Sequence, residues 1–242
     1  TDSHGPVARD PGGAALPRGP GLASGPLISM RFTRADVDRF ATWSGDRNPL
    51  HVDADFARYT HFGQPIVHGI LTVLGSLQGA KGATSGEPVR GLELEFRRAV
   101  LAHDDYSVER ADTPDGFVVT LHGGGEVVLT IRAQTSAPDE QKSDADLPWV
   151  HAIATGDARF AHPMRDSPAS RSIAELQRGV EVTGEYPATP SVEHWALVSA
   201  IAPVQTRVLA LCSYITGMEL PGLRSLFTRV SVEFHSTDAA DG

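Results

Sequence analysis

The stretch WSGDRNPLHVD, Trp43 to Asp53, sets a carboxylate and an imidazole, Asp46 and His51, on either side of Asn48 and Pro49. Asp, Asn, Gly and Pro are ordinary turn formers, so a plain loop is one reading. The other is an acid/base pair. Removing a proton from the carbon beside a carbonyl while expelling a hydroxyl from the next carbon needs a base and an acid a few ångströms apart, and neither group does both jobs at once. An imidazole titrates near neutrality, and an apolar pocket raises a carboxylate toward it. Pro49 fixes one φ angle, so an Asn-Pro turn lets the two side chains converge without a helix or strand to carry them. Asn48 is placed to hydrogen-bond the turn or to orient a catalytic side chain.

The flanking elements must aim this pair. In TRADVDRFATWSGD, Thr33 caps a helix with Asp36 answering three residues later, Val37, Phe40 and Ala41 form the apolar face, and Gly45 ends it. Asp46 therefore emerges at a helix terminus. DADFARYTHFGQP gives a short helical turn capped by Asp53 and broken by Pro65. IVHGILTVLGSLQGAKG is apolar almost all round, as a buried helix is, and Gly75 and Gly79 permit close approach of a neighbour. LISMRF before it and VRGLELEFRRAV, DYSVERAD, GFVVTLHG and EVVLTIRAQ after it are short β-rich runs parted by turn signals. Residues 27–135 thus predict one α+β domain in which strands surround a buried helix.

The chain has 242 residues, 40% of them hydrophobic, which is ample for a packed core. With 21 basic and 30 acidic residues its net charge of −9 argues against broad nucleic-acid binding. No apolar run of membrane-spanning length and no signal-peptide order appear, and the lone Cys212, in the apolar run VLALCSYI, reads as a buried structural thiol in a reducing, cytoplasmic setting. Residues 1–26, rich in Gly, Pro and Ala, predict a flexible leader, and the first residue, Thr1 rather than Met, suggests an excised or processed segment. Residues 136–148 predict a charged linker. Residues 149–242 carry a faint repeat of the first half, in which an apolar helix and a Pro-Gly turn lead into VSVEF (230–234) as the earlier helix leads into LELEF (92–96).

FATWSGDRNPLHVDADFA followed by FGQPIVHGILT resembles the MaoC-like or (R)-specific enoyl hydratase family, with its Asp-x-Asn-Pro-x-His and its Pro-x-x-His-Gly entering a central helix. The resemblance covers roughly residues 28–134. It implies a hot-dog fold, a curved antiparallel sheet around one long helix, and an enzyme that adds water to, or removes it from, an acyl thioester on coenzyme A or acyl carrier protein. It implies His51 and Asp46 as base and acid, with the two roles exchangeable, and Gly69 as backbone oxyanion donor at the helix N-terminus. His68 is expected to pack or hydrogen-bond. A serine that some members carry two turns into the helix is absent: Leu77 holds that place, with Ser76 beside it, and Ser76, His68, Pro49 and Asn48 are the expected substrate-binding or orienting residues. The second half is then a degenerate partner in a double hot-dog, giving a pseudo-dimeric monomer, with a homodimer as the alternative.

Elsewhere the bland reading prevails. The remaining histidines show no metal-ligand spacing, so neither metal nor cofactor is expected. HGGGEV is a hairpin turn, and Arg90, Arg97 and Arg98 are expected to be solvated strand residues, the alternative being contact with a cofactor phosphate. Glu193 and His194 are adjacent on a helix and point apart. A place in polyketide-type biosynthesis fits the leader and linker composition. The rival readings are a cyclase or double-bond isomerase using the same pair, and a non-catalytic acyl-binding or dimerisation module.

Overall fold

The computed structural model describes residues 26–80, 89–135, 164–180 and 201–234. The expected leader and linker, and Glu193 with His194, lie outside these residues. In chain order the elements are β1 (Ile28–Met30), α1 (Arg34–Ser44), α2 (Pro49–Val52), α3 (Ala54–Ala57), α4 (Gly69–Gly79), β2 (Gly91–Phe96), β3 (Tyr106–Thr113), β4 (Gly116–Gly123), β5 (Glu126–Gln134), α5 (Ile173–Gln177), α6 (Pro203–Tyr214), a π-helical turn (Ile215–Glu219) and β6 (Arg229–Glu233). The strands form one antiparallel sheet in the order β1-β3-β4-β5-β2-β6.

Local chemistry accounts for most boundaries. Thr33 and Asp36 complete a reciprocal capping box at the start of α1, and Gly45 ends it at φ 73°, a left-handed conformation that a Cβ resists. The β4–β5 hairpin turns on Gly124 and Gly125, both at positive φ. The Asn-Pro turn departs from expectation, since the sequence reading gave it no helix. Pro49 instead starts the one-turn helix α2, with Asn48 as its N-cap accepting from the Leu50 N–H at 3.0 Å.

Ile70, Leu71, Val73 and Leu74 of α4 are fully buried and share one core with Leu92, Leu94, Val119, Leu121 and Ile131 of the sheet. Gly75 admits the Phe32 ring, whose Cε1 would lie 2.6 Å from a Cβ there. This is the hot-dog arrangement, an antiparallel sheet packed on a buried helix.

The described part of the second half belongs to the same core. Leu209 and Ala210 of α6 join the cluster, α6 packs against α1 and α4, and β6 pairs with β2 in the register Gly91↔Glu233 to Glu95↔Arg229. The two strands that the repeat matches, LELEF and VSVEF, are thus direct antiparallel neighbours. Leu209 is fully buried. Leu209→Ala is expected to lower stability by about 2–5 kcal/mol within a single cooperative transition. Calorimetry showing an unchanged first-half transition beside a separate, weakened one would contradict a shared core.

Candidate active site

The turn after α1 and the short helix α2 carry the two groups. Asp46 is 2% exposed and His51 8%. Arg34 of α1 donates to the carbonyls of His51 at 2.8 Å and Val52 at 2.6 Å, tying the end of α2 to the preceding helix. His51 Nδ1 lies 2.9 Å from the Ile66 carbonyl. A carbonyl only accepts, so Nδ1 carries the proton and Nε2 is left basic.

His68, fully buried, stacks on His51 with ring centroids 4.0 Å apart and 28° between planes. Its Nε2 donates to the Asp46 carbonyl at 2.9 Å. His68 therefore fixes the backbone of the acidic residue and is not among the residues that line the cavity. Asp46, His51 and His68 offer donor atoms within 4.8 Å of one another, the one such group among the described residues. Near-parallel stacked rings keep their in-plane lone pairs from converging on one ion, so the set suits proton transfer better than metal coordination.

Asp46 Oδ2 accepts the Ser213 hydroxyl at 2.7 Å, and Oδ1 accepts the Asn48 N–H at 3.3 Å. Ser213 belongs to α6, far away in sequence. Asn48 also uses its amide across this junction, donating through Nδ2 to the carbonyls of Gly217 at 3.0 Å and Gly222 at 3.3 Å. Gly217, in the π-helical turn, lies so close that a Cβ would overlap the Asp46 carboxylate. Pro49 holds the first position of α2 and touches the chemistry only by fixing that turn.

Ser76 is buried and donates to the Thr72 carbonyl of its own helix at 2.8 Å. The serine at Asp46 is Ser213. The faint repeat marks its helix as a second apolar one, but nothing in the sequence singles out Ser213 within it.

Burial drives the electrostatics. It raises the Asp46 carboxyl above the ordinary carboxylate range, opposed by the His51 charge, the Ser213 hydroxyl and the Asn48 N–H. It lowers His51 below its usual value, opposed by Asp46 and the Ile66 carbonyl, and lowers His68 further still, helped by the neighbouring His51. The shifts of Asp46 and His51 both disfavour the charged form of each group. Cys212, next to Ser213, is pushed up to about 11 by burial and is inert as a nucleophile.

A cavity of about 600 Å³ opens beside the pair, lined by Asp46, His51, Gly69 and Ser213, by apolar residues of the sheet, and by Ser225 to Thr228 of the second half. Arg97 and Arg98 stand at its wall, paired with Glu95 and Glu126. The N-terminus of α4 has no side-chain cap, leaving first-turn N–H groups toward the cavity. The space beside the Gly69 Cα is not empty, however. Phe96 and Phe227 stack there at 5.6 Å, and each would come within 3.1 Å of a Cβ.

A MaoC like domain matches residues 23–113. The (R)-specific enoyl-CoA hydratase of Aeromonas caviae is 35% identical over 121 residues, 46% of this chain and 90% of that protein. The chain belongs to the MaoC-like family. The 3-hydroxybutyryl-CoA dehydratase of Methylorubrum extorquens, another relative, is 31% identical over 49% of this chain and 81% of its own length. A solved structure, the (R)-hydratase from A. caviae involved in PHA biosynthesis, is 32% identical, covers 46% of this chain and 90% of that one, and has a TM-score of 0.40. These MaoC-like relatives account for about half of the chain.

The geometry sets the pH response. A pair that works while holding one proton loses activity in acid, when it takes a second, and in alkali, when it loses its last. The Ser213 hydroxyl stabilises the carboxylate, so Ser213→Ala makes the last proton harder to lose. The alkaline limb of the kcat/KM profile is expected to move to higher pH while the acid limb stays. Movement to lower pH would remove Ser213 from the pair.

Proposed function

We propose that the protein is a hydro-lyase that dehydrates (3R)-hydroxyacyl thioesters or, in reverse, hydrates 2-enoyl thioesters. The observation that carries this reading is the buried carboxylate and imidazole, Asp46 and His51, side by side on a cavity that the N-terminus of α4 also lines. In the dehydration direction His51 Nε2 takes the proton from the carbon next to the thioester carbonyl. Charge moves to the thioester oxygen, where the Gly69 N–H and the positive end of α4 hold it. The carbon–oxygen bond then breaks as Asp46 gives its proton to the departing hydroxyl, and water leaves. The pair ends with its proton on His51 and the carboxylate on Asp46, the state that runs the hydration. One proton is conserved throughout, so the acid and base roles exchange with direction.

The relatives are named for coenzyme A thioesters, which favours that carrier over acyl carrier protein. A role in polyketide-type assembly would require the carrier-protein thioester. The second half completes the site in this proposal, its helix α6 and strand β6 standing where a second hot-dog unit would stand.

Crotonyl and longer enoyl groups on both carriers, analysed by mass spectrometry for the gain of one water, test the reading. Asp46→Asn and His51→Ala are each expected to cut turnover by about a hundredfold or more with the fold intact. Full turnover in both variants would sink it. So would isomerised product with no water gained. Gly69→Ala brings its methyl against Phe96 and Phe227 and is expected to lower turnover with a smaller loss of stability than Leu209→Ala. An unchanged rate would exclude an approach of the thioester past the Gly69 Cα.

A further inference from the structure

We infer that Arg165, Glu219 and Tyr214 form a clamp that positions the proposed acid Asp46 through Ser213 and Gly217. The inference rests on the reading of Asp46 given above. Tyr214 is the last residue of α6 and Glu219 the last of the π-helical turn. Glu219 is fully buried; it accepts the Tyr214 hydroxyl at 2.8 Å through Oε1 and Arg165 Nε at 2.7 Å through Oε2. The Tyr214 oxygen in turn accepts the Arg165 backbone N–H at 2.9 Å. The three residues close one ring of hydrogen bonds across the turn.

The ring ties positions 214 and 219, the same five-residue step as the Leu220 N–H to Ile215 carbonyl bond of 2.7 Å. It therefore favours the wide π turn over continued α-helix, in which positions five apart do not bond. That width has a consequence at Asp46. Ser213 directly precedes one end of the tie and Gly217 lies between its ends, and both touch the carboxylate. The Tyr214 ring also packs toward Gly45, where a Cβ would lie 3.4 Å from Cδ2, so it meets the residue before Asp46 from the other side. Residues near Arg165 lace the outside of the turn, with the Ala169 N–H donating to the Met218 carbonyl at 2.7 Å and the Leu223 N–H to the Ala169 carbonyl at 2.8 Å. A buried carboxylate is unfavourable without a cation, and the partly exposed Arg165 supplies it. None of the three clamp residues lines the cavity, so they are positioning residues.

Tyr214→Phe tests the clamp by removing one hydroxyl while keeping the ring. For crotonyl thioester hydration, kcat is expected to fall about fivefold or more with KM within about twofold of the parental value. In a Ser213→Ala background the same change is expected to cost less than it does in the parental protein, because part of the clamp's effect passes through that serine. The carbon-13 resonance of the Asp46 carboxyl, read at one pH without substrate, is expected to move in the same direction in Tyr214→Phe and Ser213→Ala. An unchanged kcat together with an unmoved resonance overturns the clamp, as does a loss that multiplies fully with that of Ser213→Ala. If the resonance moves but no thioester is hydrated by the parental protein, the clamp stands and the hydratase reading fails. Should Tyr214→Phe not fold, Arg165→Met opens the ring from its partly exposed end; the same fall in kcat and the same shift in resonance are expected, and their joint absence overturns the clamp.

Discussion

The arrangement hangs on a carboxylate taken out of water. An isolated buried carboxylate either protonates or finds donors and a cation, because desolvation of the charged form is far costlier than that of the neutral one. Asp46 meets that constraint with groups from three parts of the chain: the Asn48 N–H in its own turn, the His51 imidazole on α2, and the Ser213 hydroxyl on α6. Much else follows. Gly45 turns the chain out of α1 so that Asp46 points inward, Arg34 anchors the end of α2, and His68 holds the Asp46 carbonyl. Gly217 leaves room where any side chain would overlap the carboxylate.

Local signals in the sequence make the first-half elements legible. Thr33 with Asp36, Gly45, Asp53 and the glycine turn before β5 act on residues a few positions away, and their outcomes do not depend on the rest of the fold. The apolar belt of α4 is equally plain, since a helix with no polar face has nowhere to go but inside. The pair Asp46 and His51 stands out because both lie in one short motif.

What the sequence hides is what depends on distance along the chain. Ser213 reaches Asp46 across 167 positions, and no periodicity marks one serine in an apolar helix as facing a carboxylate. Ser76 is the nearer candidate by spacing, yet a serine inside a buried helix readily bonds its own backbone one turn back, and this one does. The π-helical turn is illegible for a similar reason. ITGME has no composition of its own, and the wide turn depends on tertiary contacts to Arg165 and Asn48 that local propensity does not encode. Around Gly69 the same holds, since Phe96 and Phe227, which stand beside its Cα, are far from it in the chain and nothing local places their rings there.

Two helix ends meet at this cavity, and the fold treats them in opposite ways. The N-terminus of α4 is left without a side-chain cap, so its N–H groups keep their positive potential at the cavity wall. Beyond α6, the Gly217 and Gly222 carbonyls are both covered by the Asn48 amide. Gly222 also accepts the Ser225 N–H and hydroxyl, whereas the Gly217 carbonyl, at the cavity wall, has Asn48 as its side-chain partner. Asn48 thereby does more than cap α2: it joins the acidic turn to the second half and engages a carbonyl at the cavity wall whose polarity is opposite to that of the α4 N-terminus. An alanine at that position would lose the capping acceptor and the amide donor together, whereas an aspartate would keep the acceptor and set a charge against two carbonyls. Of the two, aspartate is the more damaging to chemistry and alanine the more damaging to α2, a contrast that follows from the opposite polarity of the two helix ends.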